Sequence, residues 1–431
     1  VLYGEPFLTK PPGHYIAIIL ASLPQGAVTE VSARVPSVVG ALTAIAALYL
    51  LLRRVTPAWL ASVAAAATPV SLLWLDKVPS AEIDMTLTGW VTLALVAWYL
   101  AEPPLPAGTW RRLGLCIAAV SLAIATLTKW TAPAFFLATL LAWVWLGKRW
   151  WAYQRWEPMV ALGLAGGVCL MWGAAVVHHV GYDQFWHTLH QEATYRLWPV
   201  TNKAGSWLTH AVFPWRVLAA TLPLSLPAVV LLHPRYYGRL TPPARSLALF
   251  LHCWAWPNLL FWTLVPNHNV RYLLPITPAI SGLGVLGIAA LLQGQSQCWL
   301  TGRMRPYRLV YALMLLGLAV KLAWVEFVVP ARTSRRNPVP IAEQLRQLIP
   351  EQAVLYVDKL KDDGVMFYYG RSVCRWRGSS PLTQGAYLAL TSSEWDQWSQ
   401  QGRVCLVQRL RDQQGDPLIV ARWRPAAPGA N

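Results

Sequence analysis

ARVPSVVGALTAIAALYLLLRR, residues 33–54, decides the fold. No residue between Arg34 and Arg53 carries a charge, and the apolar side chains run on without alternation. A backbone crossing roughly 30 Å of hydrocarbon must satisfy its polar groups internally, so an unbroken apolar run of this kind is a helix. A barrel strand would be about ten residues long and would alternate in polarity. The texture recurs, and ten spanning helices are predicted at 34–52, 58–75, 85–101, 113–128, 131–147, 158–178, 210–232, 246–265, 272–292 and 309–329. Segment 11–24 is shorter and flanked by prolines, and segment 183–197 is amphipathic and rich in aromatic residues. Both are expected to lie in the membrane interface. The fold class is thus a polytopic α-helical membrane protein.

Composition agrees. Of the 431 residues, 55% are hydrophobic and only 13% charged, against about 25% charged in an ordinary globular domain. The net charge of +17 would suggest nucleic acid in a soluble protein. Here the basic residues gather in short loops, at Arg53–Arg54, Arg111–Arg112, Lys148–Arg149 and Arg235–Arg245, with Glu102 and Glu157 the acids among them. Such loops face the cytoplasm, and no nucleic-acid partner is expected. The opposite loops are longer and mixed in sign, so they face outward.

Beyond residue 330 the pattern changes. IAEQLRQLI (341–349) has helical spacing. AVLYVDK, VMFYYG, SVCRWRG, AYLALT, RVCLVQRL and LIVARW are predicted as short strands, and EWDQWSQQ as a helix capped by Ser392 or Ser393. Residues 331–431 are expected to form an α/β domain outside the membrane, following a transmembrane domain at 1–330. On that side of the membrane a Cys374–Cys405 disulfide is an option.

Ionisable residues cluster at the outward ends of the predicted helices: Lys10, Asp76, Lys77, Glu82, Asp84, Lys129, Glu192, Arg196 and Arg271, with Tyr272 beside the last. Any one of them could snorkel to the interface. Together, from five separate loops, they suggest a polar outward-facing cavity suited to a phosphorylated substrate. KPP (10–12) is a pre-set turn holding Lys10 before an apolar segment, and Asp84 falls in the first turn of a helix, where a carboxylate meets the positive dipole end. His187 and His190 are three apart, and His14 is predicted on the same side. These three are the candidates for a divalent metal ion.

The stretches FLTKPPGHYIAI, ARVPSVVGAL, AEIDMTLT, LTKWTAPAFFLATLLAW, FWHTLHQEATYRL and NVRYLLPITP, in this order, resemble the polytopic glycosyltransferases of the protein O-mannosyltransferase and aminoarabinose transferase superfamily. The C-terminal region is similar to the periplasmic domain of the aminoarabinose branch. The resemblance implies a GT-C fold in a bacterial inner membrane and a sugar donor linked to polyprenyl phosphate. It implies a lipid, glycan or protein acceptor, with the active site and C-terminal domain on the periplasmic side. It further implies that Lys10 and Arg196 contact the lipid phosphate, that Asp84 is a cavity aspartate, and that Lys129 is the lysine of a TKG motif whose glycine is here Trp130. Tyr272 would be the cavity tyrosine before LLP, and Arg271 and Glu192 further substrate contacts. The family's general base belongs to an acidic pair that would lie upstream of Val1. Of the carboxylates present, Asp84 is next in line. Thr9 stands where the aminoarabinose branch has a glutamate. A flippase of lipid-linked substrates, or a lipid-binding homologue without catalysis, would also need a charged cavity. A flippase would be expected to carry mid-membrane charges, broken helices and internal repeats; no convincing repeat is evident, and the only charges well inside a predicted span, Lys321 and Glu326, sit near its outer end.

Overall fold

The computed structural model describes residues 3–102, 108–150, 155–197, 207–293, 306–335, 337–358, 363–376, 382–411 and 415–424. The chain divides into two compact units. One is Leu8–Leu322, and the other joins Val1–Phe7 to Ala323–Asn431.

The first unit is helical. In chain order it holds α1 (Gly13–Ser22), α2 (Glu30–Leu52), α3 (Ala58–Ala67), α4 (Leu72–Lys77), α5 (Ile83–Ala101), α6 (Thr109–Thr128), α7 (Ala132–Leu146), α8 (Trp156–Val180) and α9 (Tyr182–Leu197). There follow α10 (Trp207–Ala220), α11 (Ser225–Val230), α12 (Pro234–Tyr237), α13 (Pro242–Leu264), a 3-10 turn (Val270–Ile276), α14 (Thr277–Gln293) and α15 (Pro306–Ala323). Among the described residues six helices are long and apolar enough to cross a membrane: α2, α5, α6, α8, α13 and the run Val270–Gln293. The other expected spans are shorter or broken. Segment 58–75 is interrupted at Pro69 and 210–232 around Pro223, where a proline has no N–H to continue the ladder.

Burial sorts the spans. In α5 72% of the apolar window is buried, in α8 only 11%, so α5 is central and α8 presents itself to lipid. Lipid is as apolar as leucine, so close packing of small residues must hold such helices together. At the crossing of α2 and α5 a Cβ on Gly40 would sit 2.6 Å from the Met85 carbonyl oxygen, and one on Gly89 would sit 2.6 Å from Gly40 Cα. Only two glycines permit that approach. Two buried indoles fasten the 3-10 turn and α14: Trp74 Nε1 donates to Thr277 Oγ1 at 2.8 Å, and Trp254 Nε1 to the Pro275 carbonyl at 3.0 Å.

The second unit holds α16 (Val329–Arg335), α17 (Val339–Leu348), β1 (Leu355–Val357), α18 (Asp363–Tyr369), β2 (Val373–Arg375), β3 (Tyr387–Leu390), α19 (Ser392–Gln400), β4 (Val404–Arg411) and β5 (Pro417–Trp423). The sheet order is β2-β1-β3-β5-β4. β1 is parallel to β2 and β3, while β5 is antiparallel to β3 and β4. α17 and α18 cover one face through Leu345, Val365 and Tyr369. On the other face Trp376, Trp398 and Trp423 pack with ring centroids 5.0–5.8 Å apart.

Three expectations are corrected here. VMFYYG is helical, because Val365, Met366 and Tyr369 fall on one buried helical face, a spacing a strand cannot bury. The cap of α19 is Thr391, whose N–H donates to Glu394 Oε2 at 2.8 Å. Cys374 and Cys405 are free thiols, set on the two outermost strands of the sheet and too far apart to bridge. The first residues of the chain also join this unit, through Tyr3, which packs against the core that α17 and α18 cover.

Candidate functional site

The site begins at the start of α5. Glu82, its N-cap, is extended, and its backbone is held by Ser37 on α2: Ser37 Oγ donates to the Glu82 carbonyl at 3.0 Å and accepts from the Glu82 N–H at 3.1 Å. This satisfies one of the orphan donors of a helix start and fixes the rotation of the first turn. Asp84 follows, 1% exposed. Lys129 comes from the opposite direction. It is the first residue past α6, where the backbone turns extended, and it is 5% exposed. Lys129 Nζ donates to Asp84 Oδ1. Either charge buried alone would be costly, whereas together each is the other's counter-ion.

Tyr272 forms the lid of this pair. The Lys129 ammonium lies 4.5 Å from its ring centroid, and the Arg271 guanidinium 5.4 Å. Both cations use the negative face of the ring quadrupole. Trp262 packs against the same ring at 5.5 Å and Phe135 stacks on Trp262 at 5.8 Å, so the aromatic group is supported from below. Arg271 Nη1 donates to Glu82 Oε1 at 2.9 Å, with the arginine side chain 40% exposed. Lys77 Nζ stands 4.0 Å from Glu82 Oε2 and 3.1 Å from Asp76 Oδ2. One connected network thus joins α4, α5, the end of α6 and the 3-10 turn.

His14 borders the network without entering the ion pairs. Its Nδ1 lies 3.1 Å from the Oγ1 of Thr86, which follows Asp84 in the first turns of α5. Burial, aided by the Lys10 cation, pushes its pKa down to about 4 against the attraction of Asp84. The imidazole is therefore neutral at physiological pH. α1 is pressed close here: a Cβ on Gly13 would fall 2.7 Å from the Leu127 carbonyl oxygen. Lys10, four residues earlier than His14, is exposed and makes no ion pair among the described residues.

Of the residues singled out from sequence, Asp84, Lys129, Arg271 and Tyr272 come together. Glu192 is half-buried on α9, and Arg196 is in the same helix with its side chain outside the described residues. His187 and His190 are exposed on α9 while His14 is buried under α5. Among the described residues no group of three or more His, Cys, Asp or Glu could hold a metal ion, so the suggested histidine site is not gathered. Sequence reasoning missed Ser37, Thr86 and Trp262. A serine or threonine in a helix carries no local sign that it braces another helix, and a buried Trp in a Trp-rich chain does not stand out.

Residues 9–172 match the sequence model of the dolichyl-phosphate-mannose-protein mannosyltransferase family. That stretch contains Lys10, His14, Glu82, Asp84 and Lys129. The chain is similar in structure to ArnT from Cupriavidus metallidurans bound to undecaprenyl phosphate, with a TM-score of 0.72 and 16% identity over 96% of this chain and 88% of that one. For the same protein in the apo state the TM-score is 0.68 at 16% identity, again over 96% and 88%. No curated protein matches the chain by sequence. The architecture is therefore the GT-C fold of ArnT, with helical membrane spans and a C-terminal sheet domain.

Proposed function

We propose that this chain is an integral membrane glycosyltransferase that takes a sugar from a polyprenyl-phosphate donor. The observation that carries the reading is the network itself. Buried Asp84 and Lys129 are roofed by Tyr272 and flanked by Arg271, and the exposed cation Lys10, without an ion pair among the described residues, acts on the same His14 as Asp84 does. The match of residues 9–172 to a family that uses a lipid-phosphate sugar supports it, as does the likeness to ArnT with undecaprenyl phosphate bound.

The chemistry is a single displacement. An acceptor oxygen attacks the anomeric carbon while a carboxylate outside this network takes its proton, the bond from that carbon to the phosphate oxygen breaks, and its electron pair leaves on the lipid phosphate. Inversion results. Lys10 neutralises the developing phosphate charge, with Arg196 as its partner in this reading and the exposed part of Arg271 adding hydrogen bonds. Preorganised cations of this kind commonly lower the barrier of such a step more than any other single effect. In this reading Asp84, buried and held by Lys129, positions the site and does not take the acceptor proton. Glu82 is shared between Arg271 and Lys77. The pair of Asp84 and Lys129 instead sets the height of Tyr272 and the ends of α5 and α6. Neither Glu82 nor Asp84 is assigned as the group that takes the acceptor proton.

The acceptor is a lipid, glycan or protein on the periplasmic face of a bacterial inner membrane, where the C-terminal unit also lies. The test is transfer of radiolabelled sugar from a panel of polyprenyl-phosphate donors in proteoliposomes. Lys10→Ala and Arg196→Ala should each cut transfer at least about a hundredfold in folded protein. Full activity in both variants would refute the phosphate-site assignment, and no transfer from any donor would refute the reaction.

A further inference from the structure

We infer that His14 and Thr86 are positioning residues for Lys10. The contact between them holds the start of α1 on α5, and that sets the place of the donor-binding lysine. The inference rests on the role given to Lys10 above, and every residue it uses lies within the unit Leu8–Leu322.

Lys10 is joined to α1 by a stiff piece of chain. It precedes Pro11, and Pro11 precedes Pro12. A proline ring fixes its own φ and keeps the residue before it extended, so Lys10 and Pro11 both have little backbone freedom. Pro11 is buried. Pro12 already serves the helix, since its carbonyl accepts from the Ile16 N–H at 2.8 Å. The backbone of Lys10 is therefore an extension of α1 and goes where α1 goes.

Three contacts place α1. Gly13 is pressed on the end of α6, where a Cβ would fall 2.7 Å from the Leu127 carbonyl oxygen. At the far end Ser22 Oγ donates to Ser32 Oγ of α2 at 2.8 Å, with both serines buried. His14 is the polar contact at the end that carries Lys10, its Nδ1 3.1 Å from Thr86 Oγ1. The use of Thr86 is distinctive. In apolar surroundings a helical threonine usually turns its hydroxyl back on its own helix. Thr88, Thr126, Thr128 and Thr139 all do so, each donating to the carbonyl four residues earlier at 2.6–2.8 Å. Thr86 spends its hydroxyl on another helix instead. It stands two residues after Asp84, so the turn of α5 that meets Lys129 also holds the start of α1. A lysine on slack chain loses conformational freedom when it binds an anion, and that loss subtracts from affinity. Lys10, on a backbone held in this way, has already lost much of it.

The experiment measures binding of undecaprenyl phosphate to the full chain in lipid nanodiscs by native mass spectrometry, so it needs no turnover. Lys10→Ala should weaken binding at least about tenfold. Thr86→Val keeps the shape and loses the hydroxyl, and should weaken it about fivefold. Thr86→Ser keeps the hydroxyl and should stay within about twofold of wild type. A merely structural contact would act whatever stands at position 10, whereas a positioning contact acts through Lys10. Thr86→Val added to Lys10→Ala should therefore weaken binding no further. If Thr86→Val does not fold, His14→Phe, which keeps a ring and loses the bond, is read in the same cycle. Wild-type binding in the folded single variant overturns the inference, as does an undiminished loss in the Lys10→Ala background. If Lys10→Ala itself binds normally, the reading of Lys10 fails and the inference with it. If Lys10→Ala loses binding while Thr86→Val behaves as wild type, only the positioning role is wrong.

Discussion

Lys129→Met is the most informative single change. Methionine keeps the apolar stem and removes the ammonium, so Asp84 is left 1% exposed with its counter-ion gone. Breaking a buried ion pair by removing one partner typically destabilises by about 3–5 kcal/mol, which sets the expectation at about 4 kcal/mol. Equilibrium unfolding in a denaturing detergent, followed by tryptophan fluorescence, measures it. The double variant Asp84→Asn with Lys129→Met removes both charges and should recover most of the loss, since a neutral replacement of a buried pair is often tolerated. A deficit under about 1 kcal/mol at pH 7, or a double variant no better than the single, would refute the account of the pair as mutual counter-ions.

Three further outcomes follow from named contacts. His14 has its pKa pushed down to about 4 by burial, so the unfolded chain binds a proton first on acidification. Stability should be flat above about pH 6.5, fall by about 3 kcal/mol between there and pH 4, and level off below. His14→Gln should lose that slope, and equal slopes would contradict the burial argument. Gly40→Ala places a Cβ 2.6 Å from the Met85 carbonyl. It should lower stability by roughly 1–3 kcal/mol as overpacking does, and with it donor binding, because the start of α5 shifts. A normal thermal midpoint in that variant would mean the helices part freely. Finally, Cys374 and Cys405 should both be alkylated in oxidised, unfolded protein without prior reduction. Failure of either to react would restore the disulfide.

Legibility in the sequence follows the range of the forces involved. The apolar run 35–52 needs a helix whatever surrounds it, and α2 appears there. Asp84, Lys129 and Arg271 are visible as charges that an apolar chain does not scatter at random. Their pairing is not visible, because it depends on how α5 and α6 cross. The same limit explains α18, where two tyrosines and a valine have strand propensity but burial at helical spacing overrides it. It explains the cysteines, whose separation is set by a strand order that places β5 between β3 and β4. Tyr3 gives no signal at all, since its partner Asp363 lies 360 residues away.

The network of Lys77, Lys129 and Arg271 with Asp76, Glu82 and Asp84 balances three positive charges against three negative ones. Its field dies away within a few ångströms, and among the described residues of this cluster Lys10 supplies the excess. At physiological ionic strength the screening length is about 8 Å, so the cluster acts as a contact surface and not as a beacon. Capture of a lipid phosphate should then vary with salt as for the two cations Lys10 and Arg196 alone, by roughly several-fold between dilute and molar buffer. A donor dissolved in the bilayer already searches in two dimensions. Ionic strength should therefore govern how such a headgroup is seated, and lateral diffusion how soon it arrives.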